Sequence, residues 1–173
     1  MRLFHVSEEA DIRVFAPRLP ARKDLDPHVG LVWTIDEARL PNFLTPRNCP
    51  RVAYYVSERT AEADRKAFFS SPTVRHAVVI EHAWLARMRS TTLYLYEMDP
   101  ADFVLQDGAA GYYVARTAQI PVAKHTVSDP LAELARRNVE IRVTDNLWSM
   151  ADAVKASTLN WSLCRMANAQ PRR

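Results

Sequence analysis

Glycine is scarce in this chain: three residues among 173, at Gly30, Gly108 and Gly111. That scarcity excludes the glycine-rich phosphate loops, since neither GxGxxG nor GxxxxGK[ST] can be written on it. A nucleophile elbow and an HExxH helix are missing as well. Cysteine is nearly absent, and Cys49 and Cys164 stand far apart with no CxxC or Cys/His cluster, so neither a disulfide framework nor a structural zinc site is indicated. No metal is expected. No apolar run reaches the length of a signal peptide core or a membrane span, and charges enter within the first residues, MRLFHVSEEADIRVF. Together with the reduced thiols, this predicts a cytoplasmic protein with no membrane partner.

What is present is a sequence of ordinary balance. The net charge is +3, with Lys and Arg scattered among Asp and Glu and a modest concentration only at Arg165, Arg172 and Arg173. Such a balance suits an anionic ligand without requiring nucleic acid. A chain of this length buries ~70% of the surface its unfolded form exposes, enough for one core, and no linker divides it. The expectation is one domain over 1–173.

Short apolar strands alternate with brief helical patterns. Strands are predicted at 2–6, 11–15, 31–35, 51–56, 76–81, 91–98, 111–115, 122–127 and 139–143, the last taken as the final strand. A Pro-rich charged loop through Pro17, Pro20 and Pro27 is the expected mobile segment. Residues 36–44 start a helical turn that Pro41 interrupts. Thr60 is expected to cap a helix over 60–69, and AWLARMR suits another. Asp129 with Pro130 opens a helix that buries Leu131, Leu134 and Ala135, and Ser149 with Asp152 reads as a capping box for a helix through Lys155. Few full-length crossovers join these strands, so the class is α+β, a mixed and mostly antiparallel split sheet with short flanking helices.

His5 is the first candidate for chemistry. Alternation in Leu3-Phe4-His5-Val6-Ser7 puts His5 and Ser7 on one face, where they line a cleft if Phe4 and Val6 face the core. A structural histidine hydrogen-bonded within the fold is the other reading. Aromatics recur at Trp33, Phe43, Tyr54, Tyr55, Tyr94, Tyr96, Tyr112 and Tyr113; most must pack the core, and one or two are free to stack on a flat ring. Glu81 with His82, and Asp99 with Asp102, are read as solvated cap or turn residues. Arg136 and Arg137 are read as surface charges at a helix end. In NWSLCRMANAQPRR, the apolar Trp161, Leu163 and Met166 predict that the segment packs back, leaving only its last residues as a solvated basic tail.

Three fragments resemble the ADP-ribosyltransferase superfamily, which includes poly-ADP-ribose polymerases and RNA 2′-phosphotransferases. LFHVS at 3–7 resembles its opening LxHGS/T strand, and the resemblance makes His5 the residue that binds the adenosine ribose of NAD, with Ser7 at the small hydroxyl. Gly30-Leu31-Val32-Trp33 resembles G-I-Y-F, with Val32 at the motif tyrosine, Trp33 beside it and Phe43 at the position that stacks on nicotinamide. GYYVARTAQIP at 111–121 resembles E-Y-x-V-x-x-x-x-Q-I through Tyr112, Val114, Gln119 and Ile120, with Gly111 where the family carries its catalytic glutamate. The whole chain also resembles an uncharacterised bacterial family that begins LFHVSEE and ends in NAQP.

The resemblance implies a split-sheet fold and a nucleotide ligand, with NAD as substrate, held by His5, Ser7, Trp33, Phe43 and Tyr112. The acceptor would be nucleic acid or protein. The glutamate stabilises the charge that develops on the ribose as nicotinamide leaves, and a glycine supplies none of that. Asp107 or Gln106 would have to substitute, or Arg2, Arg47, Arg51 and Arg116 would serve an arginine-rich phosphotransferase site. No catalytic residue is assigned. A different class of function, a non-enzymatic nucleic-acid or protein interaction domain using the basic tail and exposed tyrosines, competes with this reading. A third is a small-molecule hydrolase or isomerase using His82 or His125.

Overall fold

The structure is a computed structural model and describes residues 1–20 and 25–173; residues 21–24, in the middle of the expected mobile loop, lie outside the described residues. Ten strands form among the described residues: β1 Leu3–Ser7, β2 Val32–Asp36, β3 Arg51–Tyr55, β4 His76–Glu81, β5 Leu93–Met98, β6 Val104–Asp107, β7 Tyr112–Ala115, β8 Ala123–Val127, β9 Val139–Thr144 and β10 Asn160–Cys164. Four α-helices accompany them: α1 Glu62–Phe68, α2 His82–Ser90, α3 Pro130–Arg136 and α4 Trp148–Lys155. The class is α+β with mainly antiparallel pairing.

The chain groups into two compact units. The first comprises Met1–Leu40 and Leu93–Val127 and contains one six-stranded sheet in the order β6-β7-β2-β1-β5-β8, antiparallel throughout. Register assigns its faces. Leu3, His5 and Ser7 stand opposite Met98, Tyr96 and Tyr94 on β5, and Leu3 stands opposite Asp36 on β2. Val32 and Thr34 pair in turn with Ala115 and Tyr113 on β7. One face therefore collects Leu3, Val32, Tyr96, Met98 and Ala115, and over them pack Phe15 and Phe103, a core of the kind that accounts for most folding free energy. The other face carries Phe4, Trp33, Ile35, Leu95, Tyr112 and Val114.

The second unit comprises Pro41–Thr92 and Ser128–Arg173. Its sheet runs β10-β3-β4-β9, with only the β4–β9 pair parallel. Helices α2 and α3 pack on β4 and β9, and α4 packs on β3 and β10. Val52, Tyr54, Ala77 and Val79 meet Leu147, Ala151, Val154 and Leu159 in its core.

Several local expectations are corrected. Residues 11–15 form no strand; they make a single bridge from Phe15 to Gln119 and lie as a strap over the first sheet. VEIRV is not the last strand, because NWSLC pairs with β3 as β10. The short edge strand β6 has no apolar alternation to mark it in the sequence and forms by pairing with β7. Pro41 does not break the turn after β2 but sits inside a 3-10 helix, Leu40–Phe43, whose first positions tolerate its missing N–H. Thr60 does not cap α1: its hydroxyl accepts from Ser57 N at 2.8 Å, and Ala61 takes the cap position. Ser149 lies inside α4, which begins after Leu147. Asp129 does cap α3, accepting from Ala132 N at 3.0 Å, but Ala135 is exposed while Pro130 and Leu134 are buried.

Candidate functional site

His5 lies on the strap side of the first sheet, part-buried. Its Nδ1 and the Trp33 carbonyl oxygen stand 2.9 Å apart, so the ring donates through Nδ1–H. Phe15 covers the imidazole with ring centroids 4.6 Å apart, and Tyr96 meets Phe15 edge-on at 5.1 Å. The strap is fastened at several points. Tyr96 Oη donates to Glu9 O at 2.7 Å and accepts from Ile12 N at 3.1 Å, and Lys124 Nζ donates to Ala10 O at 2.8 Å. Phe15 and Gln119 exchange both backbone hydrogen bonds. Ser7 Oγ accepts from Glu9 N at 3.0 Å and so begins the strap. Beside it lies a cleft of about 400 Å³ lined by Ala10 to Arg13, Tyr96, Ile120, Pro121, Ala123 and Lys124.

The five expected ligand residues do not share one surface. His5 and Ser7 occupy the strap face, whereas Trp33 and Tyr112 project from the other face, their rings edge-to-face at 5.5 Å. The reason is the period of two: Trp33 follows Val32, so one residue's offset from the motif tyrosine reverses its face. Phe43 belongs to the second unit, where the Arg51 guanidinium lies 5.1 Å over its ring. Arg51 itself is buried. It donates to the carbonyls of Asn42 and Cys49, and Asn42 Oδ1 is 2.7 Å from His76 Nε2. Burial pushes the neighbouring Cys49 thiol up to about 12, so it is a protonated packing group. Both cysteines are free.

Gly111 precedes β7 at φ 69, its carbonyl accepting from Asp36 N at 2.9 Å. A Cβ built there would lie 2.8 Å from Asp36 Oδ2 and 2.5 Å from Arg39 Cγ. The space that a residue-111 side chain would enter is already filled, and the carboxylate standing in it is that of Asp36, fixed by accepting Arg39 N at 2.8 Å. Sequence spacing gave no hint of Asp36, because the juxtaposition is made across strands.

Glu81 is not a solvated cap: it is 1% exposed and accepts from the amides of Leu147 and Gln170. Asp99 is a turn starter that accepts from Ala101 N. Arg136 and Arg137 both pair with Glu133. Arg2 grips Glu97 through two hydrogen bonds and His125 stands 3.0 Å from the same carboxylate, which these partners hold down at about 2. The terminal arginines are not simply solvated, since Arg172 pairs with Asp152 and Arg173 with Asp145. Among the described residues no group of three or more His, Cys, Asp or Glu could hold a metal ion, and no helix is long and apolar enough to cross a membrane.

A family model described as a family of unknown function (DUF6886) matches residues 4–169. The chain belongs to this family. No curated protein and no solved structure matches it. The DUF6886 match begins at Phe4, inside the β1 strand that carries His5, and ends at Ala169, one residue before the amide that Glu81 holds.

Proposed function

We propose that the first unit binds an NAD-like nucleotide on its His5 face, as an ADP-ribosyltransferase-like domain. The observation that carries this reading is strand order. Three fragments far apart in sequence, 3–7, 30–33 and 111–121, feed the adjacent strands β1, β2 and β7. His5, Ser7, Val32 and the Gly111 position then fall on one face. The cleft beside the strap is within the size range of small-ligand sites, and its two cations, Arg13 and Lys124, outnumber the one carboxylate, Asp11, that lines it, a balance that favours phosphates. Phe15 occupies the face of His5, so ligand has to displace that ring to reach the imidazole.

Transfer chemistry on this reading needs a carboxylate beside the ribose. Asp36 would supply it in place of the glutamate that Gly111 lacks, and the acceptor would be nucleic acid or protein. Two free thiols favour a cytoplasmic setting.

Calorimetry with NAD and ADP-ribose on the full chain tests the binding step. Wild type should bind, His5→Ala should lose at least tenfold in affinity, and Phe15→Ala should gain. Absence of binding by both wild type and Phe15→Ala sinks the proposal, as does equal binding by His5→Ala. If binding holds, nicotinamide release by wild type and by Asp36→Asn tests the carboxylate.

A further inference from the structure

β10 ends at Cys164 and the chain turns at Arg165, whose backbone sits in the left-handed region at φ 55, ψ 28. Glycine occupies that conformation freely. Asparagine, found at the other such non-glycine position among the described residues, Asn138, tolerates it through a short polar side chain. Arginine has neither advantage, and strain retained at a surface position directs attention to the side chain. That side chain is exposed and, unlike those of Arg172 and Arg173, makes no ion pair among the described residues.

Arg165 lines an open groove of about 780 Å³ in the second unit with Asn48, Trp84, Met166, Ala167 and Asn168. No acidic side chain lines it, so nothing there repels an anion. Its walls are tied together. Asn168 Nδ2 donates to Asn48 O at 2.8 Å, while Asn168 N and Ala169 N donate to Arg165 O and Met166 O at 2.9 and 3.1 Å. Just beyond, Gln170 N is held by both oxygens of buried Glu81 at 3.0 and 3.1 Å. Trp84, in the first turn of α2, lines the same groove half-buried, with the Arg87 guanidinium 5.8 Å from the centre of its ring as a second cation on that aromatic surface.

We propose that this groove binds a nucleotide, its base stacked on Trp84 and its phosphate paired with Arg165, either free or as one unit of a single strand. An aromatic face accepts any base, a guanidinium fits a phosphate bidentately, and the Asn48 amide offers hydrogen bonds to a base edge. The pre-tied walls spare the ligand the cost of ordering them. Nothing in this proposal depends on His5.

Calorimetry on the full chain with AMP and with a ten-nucleotide oligouridylate tests it. Arg165→Gly is the decisive variant, because glycine suits φ 55: its melting temperature should equal or exceed that of wild type while nucleotide affinity falls at least tenfold. Trp84→Ala should weaken binding comparably, and every titration is repeated in a His5→Ala background, where AMP bound on the His5 face is lost and the binding that remains, and that Arg165→Gly then removes, belongs to this groove. Binding of AMP identifies a free nucleotide; binding of the oligonucleotide alone, falling steeply with salt, identifies a strand. Absence of both at millimolar ligand, or unchanged affinity in Arg165→Gly, overturns the proposal.

Discussion

At the scale of single residues, Gly111 and Gly108 bracket what glycine is for in this chain. Gly111 holds φ 69 with Arg39 and Asp36 packed where a β-carbon would go, whereas a β-carbon at Gly108 would meet only Leu105 Cδ2 at an ordinary 3.7 Å. Gly111→Ala should therefore destabilise by about 1–3 kcal/mol, and Gly108→Ala by far less. Parallel urea titrations check the contrast. The same crowding excludes a longer side chain: the β-carbon of a glutamate placed at 111 would lie 2.8 Å from the Asp36 carboxylate, closer than van der Waals contact. Sequence alone registers Gly111 as one glycine among three, while the structure supplies the steric reason for a glycine there.

Among the elements, the C-terminal segment is held by one buried side chain. Glu81 ends β4 and accepts from Leu147 N, where α4 begins, and from Gln170 N in the tail. Trp148 Nε1 reinforces the tail by donating to Gln170 O at 2.8 Å, and Asn146 Nδ2 donates to Pro171 O at 2.9 Å. Removing the acceptor leaves amide donors unsatisfied, so Glu81→Ala should cost about 2–3 kcal/mol and expose the tail to protease. Glu81→Gln, which keeps the shape and one acceptor oxygen, should cost less. Denaturation midpoints together with limited proteolysis read both effects.

On the scale of the whole molecule, the carboxylates whose protonation is displaced among the described residues are all displaced downward. In the first unit the Arg2 guanidinium and then His125 hold Glu97 at about 2. In the second, Arg136 and Arg137 lower Glu133, and Ser70 and Arg142 lower Glu140 against the cost of burial. A carboxylate lowered in the folded state contributes stability that is fully present above its unfolded pKa and is lost as pH falls through the folded one. The melting temperature should therefore fall as pH drops from about 4.5 towards 2, and Glu97→Gln should flatten part of that fall. A pH series of thermal melts on both proteins checks the sign.

The sequence by itself determined the α+β class, most strand positions, the Asp129 cap and the alternation that puts His5 and Ser7 on one face. Those features are local: they follow from side-chain period, capping chemistry and β-propensity within a few residues. Only the tertiary structure decided which strands become neighbours, and hence that Trp33 and Tyr112 leave the face of His5. The same pairing brings Phe15 onto the imidazole and Asp36 beside Gly111. Contacts between residues tens of positions apart depend on strand order and register, which no short window of sequence encodes. His5 was thus legible as a candidate, and its surroundings were not.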